Sequence, residues 1–297
     1  MTPPDRGSGS AGNADSSRVT RVELPVDTRA PGGTTNAYLA NGLLVDPAAQ
    51  TDRLDAAVAA HARSTTPADL DEPGAARAAD SPGDARIDAI AVTHTHPDHV
   101  GAVADYAERT GAVVYAHAGG VDRFRDATGV TPDATFRDGD AVGTTGVRVL
   151  ATPGHAPDHV AFGVGLDDKT VAAEALVGDL AVAEGSVVVG APDGDIRAYL
   201  DSLERVRDAG FDRLYPGHGP RVDEPSVACQ RLIDHRLARE TAVAEAVAAG
   251  APDIDAVLEA AYEKELAGVE DLARATVRAH LETLAAEGRI DEAWRAE

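Results

Sequence analysis

The stretch Ile87-Asp-Ala-Ile-Ala-Val-Thr-His94-Thr-His96-Pro-Asp98-His99 decides how this chain is read. Its first six residues form an apolar strand pattern. The polar run that follows lies at a strand's C-terminal end, where α/β folds commonly place their sites. Four potential metal ligands fall within six residues, His94 to His99. His94 and His96 alternate and can share one ion, while Asp98 and His99, beyond the turn, can reach a second. Val100–Thr110 then carries a helical pattern, so the unit reads as strand, loop, helix.

Upstream, Arg21–Asp27 opens the first strand pattern. Asn36–Ala40 and Gly42–Asp46 read as two short strands across a tight Asn41-Gly42 turn, with a helix expected at 50–61. Downstream, strands are expected at 112–116, 147–151, 160–164 and 171–177, and from about Glu224 to Leu284 the pattern is nearly all helix. Strands alternating with helices indicate an α/β layered fold. Residues 1–19 read as a disordered tail and about 63–86 as a mobile surface loop, since both are rich in Gly, Pro, Ala and Asp and poor in large apolar residues. That divides the chain into a core at 20–223 and a helical region at 224–297.

Three more ligand candidates sit at later expected strand ends: His155 in Thr152-Pro-Gly-His155, Asp179 in Val177-Gly-Asp179, and His218 in Tyr215-Pro-Gly-His-Gly219. Each has a glycine beside it, where the backbone can turn sharply to aim a side chain inward. Five imidazoles and two carboxylates suit zinc; they also accept iron. Two ions about 3.5–4 Å apart would hold a bridging hydroxide and clamp the attacking and leaving oxygens of a hydrolytic reaction.

Composition narrows the classes. In 297 residues there are 50 acidic and 27 basic side chains, a net charge of −23, and 43% hydrophobic residues, enough to bury a core. No run approaches the roughly 18 apolar residues of a membrane span, and the N-terminus lacks a signal-like apolar centre, so a cytoplasmic protein without a membrane partner is expected. Cys229 is the one cysteine, which excludes an intrachain disulfide framework and a cysteine-based zinc cluster. Lysine occurs only at Lys169 and Lys264; scarce lysine with an acidic, alanine-rich surface resembles proteins of salt-accumulating halophiles.

His-x-His-x-Asp-His, Pro-Gly-His, Gly-Asp and Pro-Gly-His-Gly, in this order over residues 20–223, resemble the metallo-β-lactamase superfamily. The resemblance implies an αββα sandwich with the site along one sheet edge. It would place His94, His96 and His155 on a first zinc, Asp98, His99 and His218 on a second, and Asp179 as a bridge, with Asp98 also orienting the hydroxide. A branch of the superfamily with a carboxylate in the first motif binds redox di-iron; His96 stands at that position here, which favours hydrolysis. Gly194–Leu203, Tyr215–Pro220, Asp234–Glu240 and Val277–Ile290 with Trp294 further resemble the lactamase-beta-2-like family. That resemblance implies a C-terminal winged-helix-like domain and, from its animal members, cleavage of single-stranded RNA; other relatives are glyoxalase II-like.

The expected activity is therefore di-zinc hydrolysis of a small thioester or ester, as in hydroxyacylglutathione hydrolysis, or of a phosphodiester in single-stranded RNA. A non-catalytic nucleic-acid-binding module is the alternative of a different class. Residues 225–297 hold eight basic against 15 acidic side chains, a poor generic phosphate binder. His159, four residues after His155, is expected to orient a ligand or touch substrate, and His235 and Arg236 to line the cleft. His61, His117 and His280 are read as structural.

Overall fold

The apolar strand that leads into His94 is β4 (Ala89–Ala91), the fourth strand of a six-stranded sheet, in the computed structural model, which describes residues 18–64, 87–166, 170, 172–262, 266 and 268–295. Preceding it are β1 (Thr20–Pro25), β2 (Thr34–Ala40), β3 (Leu43–Val45) and helix α1 (Asp52–Ser64). After it come α2 (Pro97–Val100), α3 (Val103–Thr110), β5 (Val113–His117), α4 (Val121–Thr128) and β6 (Ala134–Phe136). The strands run in sequence order, antiparallel through β3 and parallel from β3 to β6. A second sheet has the order β10-β9-β8-β7, built from β7 (Arg148–Ala151), β8 (Val160–Val164), β9 (Glu174–Gly178) and β10 (Arg213–Pro216). Helix α5 (Ile196–Asp208) precedes β10, and α6 (Pro225–Ala248), α7 (Ile254–Ala261), α8 (Glu270–Ala286) and a 3-10 turn (Glu292–Arg295) follow it.

Three apolar layers hold the sandwich together. Between the sheets lie Tyr38, Leu43, Val45, Phe136, Phe162 and Leu176. Leu54, Val58, Val103, Tyr106 and Phe124 cover the outer face of the first sheet, and Tyr199, Leu203, Val206, Leu232 and Ile233 that of the second. Each fully buried side chain of this size stabilises the fold by roughly 1.5–3 kcal/mol. β8 and β9 are buried along their whole length, so β8 reads as an unbroken apolar run and β9 as one after Glu174, whose carboxylate accepts the Tyr215 hydroxyl. The result is the expected αββα layering, with the expected helical region present as α6 to α8.

The differences from the sequence reading are local. The expected helix at 100–110 is two: Pro97 starts α2, the chain breaks at Gly101, and α3 follows. A Cβ at Gly101 would lie 2.4 Å from the Ala48 carbonyl oxygen, and Ala102 donates to Pro47 O, so the break is a close passage beneath the first sheet's loops. Val19 belongs to the inter-sheet core and the Arg18 amide donates to Glu174, so residues 18 and 19 are part of the folded core. The rest of the expected tail, and residues 65–86 of the expected loop, lie outside the described residues. Between 224 and 295 no strand occurs among the described residues.

The boundary near 224 is not a boundary of the core. Ala228, Cys229, Leu232 and Ile233 of α6 and Ala279 of α8 share one apolar cluster with β9, α5 and β10. Further along, Val243, Val257, Val277, Leu281 and Leu284 form a smaller cluster of their own.

Candidate metal centre

Five of the seven expected ligands lie on turns that leave strands at one end of the sandwich, and the other two, Asp98 and His99, lie in the short helix α2 just beyond the end of β4. The two sheets are tied there. Val160 N donates to Thr93 O, Asn36 N to Gly217 O, and the Tyr38 hydroxyl to Pro216 O. These bonds bring the end of β4 against the start of β8, and β2 against the loop that carries His218.

The side chains form three overlapping groups: His94, His96 and His155; His94, His99 and Asp179; Asp98, His99 and His218. Within each, the donor atoms lie within 4.8 Å of one another. His94 Nε2 and His155 Nε2 are 3.0 and 2.9 Å from His96 Nδ1. Nitrogens sharing one tetrahedral zinc sit about 3.3 Å apart, so this trio has the spacing of a common ion. Asp179 stands between the groups: Oδ2 is 3.6 Å from His155 Nε2 and 3.4 Å from His218 Nε2, and Oδ1 is 3.7 Å from His99 Nε2. His218 Nε2 is 3.6 Å from Asp98 Oδ2.

The buried atoms His99 Nε2 and Asp179 Oδ1 have no hydrogen-bond partner. Leaving two polar atoms unpaired in the interior is costly, and a cation between them would satisfy both. The opposite ring nitrogens are occupied. His155 Nδ1 donates to Val188 O at 2.6 Å, His218 Nδ1 to Thr34 O at 2.8 Å, and His99 Nδ1 to Asp46 Oδ2 at 3.0 Å. Such bonds fix the tautomer and leave the Nε2 lone pair free to bind. The residues present therefore fit two divalent ions.

Electrostatics agree with that chemistry. Burial, helped by the neighbouring imidazoles, holds His94 well below its ordinary pKa and His96 down to about 4, so both are neutral at pH 7. Burial also opposes charge on His99, but the hydrogen bond and charge of Asp46, with Asp179, overcome it and raise His99 to about 9. Asp179 is likewise buried, yet the hydrogen bond from His218 and the His99 and His155 charges hold it well below the carboxylate range. Burial opposes charge on His218 as well, but the hydrogen bond and charge of Asp179 overcome it and raise His218 above its ordinary value.

Asp46 was not among the expected site residues. It follows β3 in a left-handed conformation, φ 51°, and receives Thr93 N and Thr93 Oγ1 as well as His99 Nδ1. Its signal in the sequence is a lone Val-Asp-Pro at a strand end, indistinguishable from a turn. His159 lies behind the site: its Nε2 accepts the Asp179 amide proton at 3.1 Å and its Nδ1 bonds Thr152 Oγ1, so it orients a candidate ligand. His235 and Arg236 are not among the residues that line the cleft. Both sit on α6, and Arg236 lies beneath the cleft wall, where it donates to Val187 O.

A cleft of about 1170 Å³ opens over His96, Asp98, His155, Asp179 and His218. Its walls are residues 27–32, the segment 182–188 and Leu272 of α8. Arg29 is the one arginine or lysine among the described lining residues, and it donates to both carboxylate oxygens of Asp271, at 2.5 and 2.9 Å. On α8, Arg274 is paired with Asp255.

Residues 30–218 match the metallo-beta-lactamase superfamily, a span that takes in all seven candidate ligands. The chain is 31% identical over 156 residues to a beta-lactamase-like protein 2 homolog of Caenorhabditis elegans, covering 52% of this chain and 50% of that one. It is 37% identical over 134 residues to a hydroxyacylglutathione hydrolase of Bradyrhizobium sp., covering 43% and 47%. It spans about half the length of the curated relatives it matches. A metallo-beta-lactamase family protein of Thermus thermophilus shares the fold with a TM-score of 0.66 and 24% identity, over 91% of this chain and 94% of that one. Matched over more than half its length and carrying the family's candidate metal-binding groups in one place, the chain belongs to the metallo-beta-lactamase superfamily.

Proposed function

We propose that this protein is a di-zinc hydrolase of thioesters that carry an apolar acyl arm. The observation that carries the reading is the wall of the cleft. Ala30, Pro31, Val182, Val187, Val188 and Leu272 offer apolar surface beside the metal centre, while Asp27 and Glu184 add negative charge. Among the described lining residues the one guanidinium, Arg29, is already held by Asp271. An RNA strand would need cations along its phosphates, and an apolar acyl group needs only to leave water. Relatives named hydroxyacylglutathione hydrolase and thioesterase, the latter 31% identical over 159 residues in Emericella nidulans, point the same way.

Zinc is favoured by the donor set, five imidazoles and two carboxylates with no thiolate. Two zinc ions would supply Lewis acidity toward the scissile carbonyl and activate water at neutral pH. The chain's own residues do the rest. His94, His96 and His155 would hold one ion, Asp98, His99 and His218 the other, and Asp179 both. Asp98 reaches the cleft floor with Oδ2 fixed by the Thr28 hydroxyl at 2.6 Å, placed to orient the attacking water and carry its proton toward the leaving sulfur. The apolar wall seats the acyl chain and excludes bulk water.

The test is a panel of aliphatic acyl thioesters and a lactoylglutathione-type thioester set beside single-stranded RNA. Zinc-loaded wild type is compared with Asp179→Asn in low and high potassium chloride. Thioester turnover that the variant abolishes supports the reading. RNA cleavage without thioester turnover would replace it with the endoribonuclease reading.

A further inference from the structure

We infer that Arg236 and Arg231, on the C-terminal helix α6, are positioning residues for the metal centre: they fix the cleft wall at 182–188, whose Val188 carbonyl orients His155. The inference rests on the metal-hydrolase reading.

Segment 182–188 has no helix or strand, and no backbone–backbone hydrogen bond is formed by it among the described residues. Its carbonyls are taken by α6 instead. Arg231 Nη2 donates to Val182 O at 2.8 Å and Ala183 O at 3.3 Å, Arg231 Nη1 to Gly185 O, and Arg236 Nη2 to Val187 O. The next carbonyl, Val188 O, receives His155 Nδ1. The opposite nitrogen of that ring faces His96 Nδ1 at 2.9 Å and Asp179 Oδ2 at 3.6 Å. A wall that slipped would turn the ring and spoil that spacing.

Arg236 is only 3% exposed, and among the described residues no carboxylate lies within ion-pair range of it. A buried guanidinium without a counter-charge costs more than an apolar side chain would, so its use here must be as a directed donor. A second path runs from it to the site. Its guanidinium carbon lies 5.5 Å from the Tyr199 ring centroid, and the Tyr199 hydroxyl donates to Leu180 O, beside Asp179, at 2.7 Å. A Cβ on Gly154, the residue before His155, would come within 2.2 Å of the Tyr199 amide nitrogen, so the backbone before His155 rests directly on α5. The chain neighbours of two candidate ligands therefore touch Tyr199, against which Arg236 packs.

The test uses full-length Arg236→Met, an apolar replacement of similar length, loaded with zinc and separately with cobalt(II) as a spectroscopic probe. The expected result is a cooperative thermal transition, one of two metals bound about 10–100-fold more weakly in chelator competition, an altered cobalt absorption band, and a fall in kcat with KM little changed. Arg274→Gln, on the far pair with Asp255, is the control and keeps wild-type metal affinity. A folded Arg236→Met with wild-type affinity and cobalt spectrum would overturn the inference. Should that variant fail to fold, the half-buried Arg231→Gln decides: weakened binding of one metal supports it, and two metals held as in the wild type overturns it. Metal binding is read apart from turnover, so an error in the proposed substrate leaves this result intact.

Discussion

Asp46 accepts hydrogen bonds from the Thr93 amide and hydroxyl in the turn after β4 and from the His99 imidazole in α2, and so it holds His99 by the ring nitrogen that faces away from the centre. Asp46→Asn replaces an acceptor oxygen with a donor and removes the charge that raises His99. It is expected to weaken metal binding by about 10–100-fold with the fold retained, measured by chelator competition. Asp179→Asn should lose more, since Asp179 faces His99, His155 and His218 together; metal content near one ion per chain with activity lost is the expected readout. Gly217 tests the same geometry by bulk. A Cβ there would lie 2.5 Å from Asp179 Oδ1 and 2.7 Å from His99 Cε1, so Gly217→Ala should yield a folded, metal-poor protein. Full metal content in that variant would show that the site tolerates a displaced Asp179.

At the scale of elements, α6 joins the two regions that the sequence pattern separates. Its first half completes the outer layer of the second sheet and its second half nucleates the smaller cluster with α7 and α8. Removing 225–297 is expected to abolish cooperative unfolding along with metal binding, because Leu232 and Ile233 leave Leu203 and Val206 exposed. A truncated core that melts cooperatively and holds two ions would contradict this. Helix α8 carries a pH-sensitive group at the same junction. His280 is fully buried, and burial with the nearby charges of Arg236 and Arg239 pushes its imidazole down to about 3. The unfolded chain binds that proton first. Stability from this group is therefore present above pH ~6.5 and is lost as pH falls toward 3, at up to about 1.4 kcal/mol per pH unit. His280→Leu should flatten the acid limb of a stability–pH curve; an unchanged limb would assign acid sensitivity elsewhere.

For the whole molecule, a net charge of −23 means that every exposed carboxylate is repelled by many others. At about 1 M salt the Debye length is near 3 Å, and most of that repulsion is screened. The melting temperature of the metal-loaded protein is expected to rise from dilute buffer to molar potassium chloride, a direct check of the salt-adapted reading of its composition. Equal temperatures in the two buffers would leave the acidic excess without that role. No helix among the described residues is long and apolar enough to cross a membrane.

What the sequence determined by itself was chemistry carried by neighbours in the chain. The alternation of His94 and His96, the Pro-Gly-His and Gly-Asp turns at strand ends, and the apolar runs of β4, β8 and β9 are short-range patterns. Each can be read in a window of a few residues, because strand period and turn chemistry are local. What only the tertiary structure decided involves residues far apart in sequence. Asp46 supports His99 from the end of the neighbouring strand, Arg236 lies beneath the cleft wall, and Arg29 is bound to Asp271. Those roles are set by hydrogen-bond partners 53, 49 and 242 positions away, and no local pattern marks an aspartate or arginine for a partner that only packing brings near.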